Sequence, residues 1–222
     1  MRPEVLEACV PPGLRDHVIY GRVEPEHRVA TVGFIKFKGI GAAMSDGGHG
    51  LVADHLAELV GAVQEAVDPE GITFLATDID ADGGKIILTA GAPITQEDDE
   101  GRMLRAVRSV TDQRTALALK IGVNRGHVFA GEIGTAFRST YTVMGDTVNL
   151  AARLMAAAPP GEIYATPGVL DRSRTLFATA ALEPFHGKGK SKRSGTPSPG
   201  WPKEASSASS WSARPAWERR DS

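Results

Sequence analysis

A single cysteine, Cys9, in 222 residues leaves the chain no internal disulfide to form, and this excludes a bridge-stapled secreted scaffold. Long apolar runs are missing as well, so no segment reads as a bilayer span. The opening, Met1-Arg2-Pro3-Glu4-Val5-Leu6-Glu7, is acidic and proline-containing and lacks the apolar stretch of a secretory leader. Nor is there an excess of charge of one sign: a net charge of −2 exerts no general pull toward nucleic acid or anionic membrane. These absences predict a soluble cytoplasmic protein with neither nucleic acid nor membrane as partner. What is present is ample apolar material, 41% of the residues, enough to bury one core with some length left for flanks.

The apolar residues alternate between strand and helix patterns. Residues 29–37 read as a buried strand, and Leu51, Val52, Leu56, Leu59, Val60 and Val63 recur at helical spacing until Asp68-Pro69-Glu70-Gly71 stops them. Residues 72–77 and 85–89 form two strand-like runs joined by an acidic, glycine-containing turn, a hairpin pattern. A second amphipathic helix is expected over about 96–113, with Met103, Leu104, Val107 and Val110 inward and acidic residues in its first turn, where they suit the helix dipole. Residues 116–123 read as the next strand, and 162–165 and 177–182 as shorter late strands. This order predicts an α+β fold with helices on one face of a mostly antiparallel sheet.

The segment Tyr141-Thr142-Val143-Met144-Gly145-Asp146-Thr147-Val148-Asn149-Leu150-Ala151-Ala152-Arg153-Leu154 carries the most chemistry. A strand-like run turns at Gly145, Asp146 is placed to cap the helix that follows, and Asn149 and Arg153, four apart, should face the same way. Arginine offers a planar fork of donors to phosphate oxygens, asparagine adds a neutral donor, and a helix start contributes free N–H groups, so the geometry suits an anion. On spacing alone the plainer reading is the commoner one, since an arginine on a helix face is usually solvated and an asparagine there is often incidental.

The wording of the segment resembles the signature of the class III nucleotide cyclases, the adenylate and guanylate cyclase homology domains, in which Gly-Asp-x-Val-Asn-x-Ala-x-Arg opens the helix that holds the substrate phosphates. Gly126-His127-Val128-Phe129-Ala130-Gly131-Glu132-Ile133-Gly134 resembles the family's glycine-spaced hairpin, and Phe185-His186-Gly187-Lys188-Gly189-Lys190 its late Lys-Gly-Lys element. The resemblance spans roughly residues 27–190, with a connector at 1–26 and a Ser-, Pro- and Arg-rich tail at 191–222 whose composition predicts disorder. That tail holds Trp201, Trp211 and Trp217 on no periodic face, and nothing after Lys192 reads as the family's closing apolar strand, which suggests a replaced or out-of-frame end.

The resemblance implies a ferredoxin-like nucleotide cyclase fold and a reaction in which ATP, or another purine nucleotide, is converted to its cyclic form and pyrophosphate. It implies that Asn149 and Arg153 act as the transition-state pair, that Lys190, with Lys188 as the adjacent candidate, contacts phosphates, and that Thr142 stands at a base-selecting position where threonine favours adenine. The family's purine-recognising lysine would fall at Asp80, which cannot play that part. It further implies a hetero- or homodimer with a second cyclase domain, each site lying across the interface, and Mg²⁺ or Mn²⁺ held by two aspartates.

At those two positions the chain departs from the family. In Phe34-Ile35-Lys36-Phe37-Lys38-Gly39 a lysine stands at the first metal position, and an ammonium has no lone pair for a metal and repels it. The alternatives for Lys36 are solvent, an ion pair or direct contact with phosphate. The second metal position falls at Gly84, with Asp82 two residues early as the substitute metal candidate, although an acidic turn between strands more often solvates its charges. The run from Asp78 to Gly83 opens like a calcium loop, but Thr89 stands where that loop needs a bidentate glutamate. Gly39-Ile40-Gly41 lacks the third glycine of a dinucleotide fingerprint. Two functions follow: a cyclase half supplying Asn149 and Arg153 to a partner domain that holds the metals, or a catalytically silent cyclase-like regulatory or dimerisation module.

Overall fold

The structure, a computed structural model, describes residues 10–15, 24–135 and 138–181. Its elements run β1 (Glu26–Lys38), α1 (Ile40–Val67), β2 (Thr73–Asp80), β3 (Gly83–Ala90), α2 (Asp99–Asp112), β4 (Ala118–Thr135), β5 (Arg138–Met144), α3 (Asp146–Ala157), β6 (Ile163–Ala165) and α4 (Pro167–Leu170). The sheet order is β2-β3-β1-β4-β5 with antiparallel neighbours, and β6 adds to β4 in parallel. This is the mixed, mostly antiparallel α+β architecture the sequence order implies, but its helices cover both faces of the sheet rather than the one face expected, because β1 is apolar on both sides.

Strand alternation divides β1 between two cores. Ile35 and Phe37 point to one face, where they pack with Leu59, Val63 and Val67 of α1 and with Met103, Val107 and Val110 of α2. Val32 and Phe34 point to the other, where Ala151 and Met155 of α3 cover them. The two long helices therefore share one face, and the signature helix lies across the opposite one. Among the described residues no helix is long and apolar enough to cross a membrane.

Several boundaries differ from the sequence reading. α1 starts at Ile40, well before Leu51, because its first turns bury Ile40 and Ala43 and are joined to the rest across a break at Gly48 (φ 65°, ψ −156°). Its glycine-rich opening carries no helical periodicity that sequence could show. Gly39, at φ 116°, makes the β1–α1 turn, a left-handed conformation that suits glycine. The glycine-spaced run from Gly126 to Gly134 lies wholly within the long strand β4, and the ladder with β5 continues to the Thr135–Arg138 pair. No strand forms over 177–181; Leu176 there is 99% exposed and Phe177 alone packs against the α1/α2 core.

Asp98, just before α2, fastens the late loop to that helix. Its carboxylate accepts from the Arg174 backbone N–H at 2.8 Å and from Arg105 at 3.0 Å, and Arg105 also holds Glu70 at 2.8 Å. Burial pushes the Asp98 carboxyl upward, but the hydrogen bonds from Arg174 and Arg105 outweigh it and hold it below its ordinary value. A carboxyl lowered on folding contributes stability above its unfolded pKa, and that contribution is lost as pH falls through the folded value. Asp98→Asn is therefore expected to shrink the loss of stability below about pH 4 by about one proton's worth of slope. Urea midpoints measured across that range test this, and parallel acid limbs in the two proteins would contradict it.

Candidate functional site

β5 ends at Met144 and α3 begins at Asp146, with Gly145 (φ 132°, ψ 179°) in the cap position. No side chain caps the helix: the first intrahelical bonds run from the Val148 and Asn149 N–H groups to the Gly145 carbonyl at 3.1 and 3.2 Å. Asp146 is thus not the cap that the sequence suggested. It sits in the first turn, where its charge complements the helix dipole. Ala151, Leu154 and Met155 are the buried side of α3. Asn149 and Arg153 are both exposed and one helical turn apart, as the spacing requires, and neither makes a side-chain bond to another described residue.

Two residues that the sequence reading missed seat this helix. Asn124, only 4% exposed on β4, donates to the Thr147 carbonyl at 2.9 Å and accepts from the Thr166 hydroxyl at 2.9 Å, so both ends of its amide are used. The Thr147 hydroxyl in turn donates to the His127 carbonyl at 2.7 Å. Gly122, two residues before Asn124, has no side chain at the point where the backbone of α3 at Ala151 and Met155 crosses the strand. The available signal was a glycine and an asparagine two apart in the middle of β4, next to the apolar residues Ile121 and Val123.

The region expected to hold metal has a different character. Lys36 is half-buried on β1, on the α3 side of the sheet, and pairs in register with Lys85 of β3 and Lys120 of β4. Lys85 bonds Asp78 at 2.8 Å and Lys120 donates to the Ala156 carbonyl at 3.3 Å, whereas Lys36 has no ion pair among the described residues. Gly84 pairs with Phe37 and so lies on the face opposite to Lys36; a Cβ there would run into the Asp78 carbonyl and, at 2.6 Å, the Phe37 ring. No carboxylate fits at that position without moving β2.

Asp82 occupies the β2–β3 turn. Its N–H donates to Asp80 at 3.0 Å, its carbonyl accepts from the Gly39 and Ile40 N–H groups at 3.1 and 3.3 Å, and its carboxylate lies 3.8 Å from Lys38. Among the described residues no group of three His, Cys, Asp or Glu side chains could hold a metal ion. With Lys36 and Gly84 at the two positions, the donor set among the described residues does not fit the family's two-aspartate metal pair.

Thr142 is half-buried on β5 and pairs with Gly131, on the alternate side of β4 from Lys120, so one chain does not bring it together with the lysines. Lys188 and Lys190 lie outside the described residues, as does the tail with its tryptophans. A cleft of about 320 Å³ opens between β1 and the start of α2, but its charges largely neutralise one another: Arg125 pairs with Glu100, and Arg174 with Glu97. The chemistry suggested by the signature lies on the α3 face, away from that cleft.

Comparison with known proteins bears on this arrangement. Residues 102–196 match the family described as the adenylate and guanylate cyclase catalytic domain. The match takes in the whole of α3 and begins beyond both Lys36 and Gly84. An uncharacterised protein of Mycobacterium tuberculosis is 32% identical over 119 residues, 50% of this chain and 30% of its own length. A second from the same organism is 34% identical over 96 residues, 40% of this chain and 18% of its own. The chain therefore matches less than a third of either relative. The fold is similar to that of the adenylyl cyclase CyaB from P. aeruginosa, with a TM-score of 0.69 at 19% identity over 90% of this chain and 99% of that one. It is also similar to the guanylate cyclase domain of RhGC from Catenaria anguillulae, solved in complex with GTP, with a TM-score of 0.65 at 20% identity over 86% and 100% of the two chains.

Proposed function

For a chain that carries a divergent class III cyclase catalytic domain, we propose that it serves as the half of an adenylate cyclase that supplies Asn149 and Arg153 to a partner domain. The observation that supports this reading most is the contrast between the two halves of the site. The outward face of α3 presents an amide and a guanidinium with no described partner, while the metal positions hold Lys36 and a glycine with no room for a side chain. Catalysis then divides between chains. Attack of the ribose 3′-oxygen on the α-phosphate, with pyrophosphate leaving, builds negative charge on the phosphate oxygens. Arg153 donates to those oxygens through its planar fork, and Asn149 adds a neutral donor beside it. Mg²⁺ or Mn²⁺ is assigned to the partner domain. ATP is preferred to GTP on Thr142, and Lys190 or Lys188 is assigned to the phosphates, both by family position. Action in the cytoplasm belongs to the same reading.

The chain purified alone with ATP and Mg²⁺ or Mn²⁺ is expected to form little cyclic AMP, and addition of a metal-competent cyclase domain is expected to restore turnover. Robust activity of the chain alone would sink the half-site reading. The second reading, a silent cyclase-like module, draws on the same Lys36 and Gly84; dimerisation or nucleotide binding without product in any pairing would favour it.

A further inference from the structure

The register of the sheet places four charged residues side by side across four strands: Asp78 on β2, Lys85 on β3, Lys36 on β1 and Lys120 on β4. Like charges directly opposite one another in a ladder are unfavourable, and here two such pairs adjoin. One end of the row is neutralised by the Asp78–Lys85 bond at 2.8 Å, and the other end touches only the neutral carbonyl of Ala156 at 3.3 Å. Lys36, in the middle, is half-buried between two ammonium groups with no counter-charge among the described residues. The neighbouring Lys38–Asp82 pair at 3.8 Å balances itself and adds no spare carboxylate.

We propose that the Lys85–Lys36–Lys120 row is a metal-independent polyphosphate site, in which ammonium groups bind phosphate oxygens directly. With strands about 4.8 Å apart, the three lysines span about 10 Å, a length that a di- or triphosphate can bridge and a single carboxylate cannot. The row adjoins the C-terminal end of α3 through Lys120 and Ala156, on the same face of the sheet as that helix. Ammonium groups and a divalent cation compete for the same oxygens, so the ligand of this row is the free polyanion rather than its magnesium complex. The choice of a nucleotide as the natural carrier of the polyphosphate rests on the cyclase reading; the binding of metal-free polyphosphate by the row does not.

The test is calorimetric titration of the full chain with sodium tripolyphosphate and with ATP, in EDTA and then in excess Mg²⁺, at low salt. Both ligands are expected to bind in EDTA and to weaken about tenfold or more when Mg²⁺ is added. Lys36→Gln and Lys120→Gln are each expected to weaken binding about tenfold, in line with the loss of one charge-assisted contact, with circular dichroism unchanged. Absence of binding in EDTA, tighter binding with Mg²⁺, or unaltered affinity in both variants would overturn the proposal. The outcome is separable from the cyclase reading. Restored turnover with a partner but no metal-free binding would sink this proposal alone, whereas metal-free binding without turnover in any pairing would sink the cyclase reading alone.

Discussion

Arg153→Ala is expected to lower the cyclic nucleotide output of the chain paired with a metal-competent partner by about a hundredfold, the scale of losing one donor to a transition-state oxyanion. The side chain is exposed and makes no bond to another described residue, so its removal should leave the fold and the thermal midpoint as they were. That separation makes the experiment informative: a loss of rate with no loss of stability can be assigned to the reacting phosphate. Arg153→Lys keeps the charge but not the planar fork and should recover only part of the rate. Asn149→Ala, one turn away, should cost less, because it removes a neutral donor. Product formation should be measured by chromatography with the partner in excess, so that weakened pairing is not mistaken for slowed chemistry. Output within a few-fold of the parent for Arg153→Ala would remove Arg153 from the proposed role.

The signature helix was legible because its information is local. A strand-like run, a glycine, and two polar residues spaced by four specify a turn and a shared helix face without reference to any other part of the chain. The lysine row was not legible, because Lys36, Lys85 and Lys120 are neighbours only through the pairing register of β1 with β3 and β4. A shift of one residue in either ladder would send one lysine to the opposite face. For the same reason counting along the chain could align Gly84 with a metal position but could not reveal that it faces Phe37, with no space for a side chain. The strand expected near Phe177 failed for lack of neighbours: an apolar run has strand character only where a sheet edge accepts it, and β4 accepts β6 instead.

Gly122→Ala should carry a large structural penalty for a single added methyl. Gly122 pairs with Phe34 of β1 on one side and Tyr164 of β6 on the other, and α3 crosses directly over it. A Cβ there would overlap the backbone nitrogen of Met155 and the carbonyl oxygen of Ala151. Those atoms belong to the helix backbone and cannot rotate away, so α3 must lift from the sheet. Lifting it pulls on the Asn124–Thr147 bond of 2.9 Å and exposes Ala151 and Met155. Overpacking a core costs about 1–3 kcal/mol when side chains can adjust; with backbone on the receiving side we expect about 3 kcal/mol or more, read as a lower urea midpoint at unchanged slope. The displaced helix carries Asn149 and Arg153 with it, so turnover in the reconstituted pair should fall about a hundredfold even below the unfolding temperature. Gly126→Ala is the matched control. Its Cβ would meet the Thr147 hydroxyl at 2.6 Å, a side chain that can turn aside, at the expense of its bond to His127 and about 1 kcal/mol. Equal midpoints for the two variants would mean that α3 is not seated on Gly122 in solution.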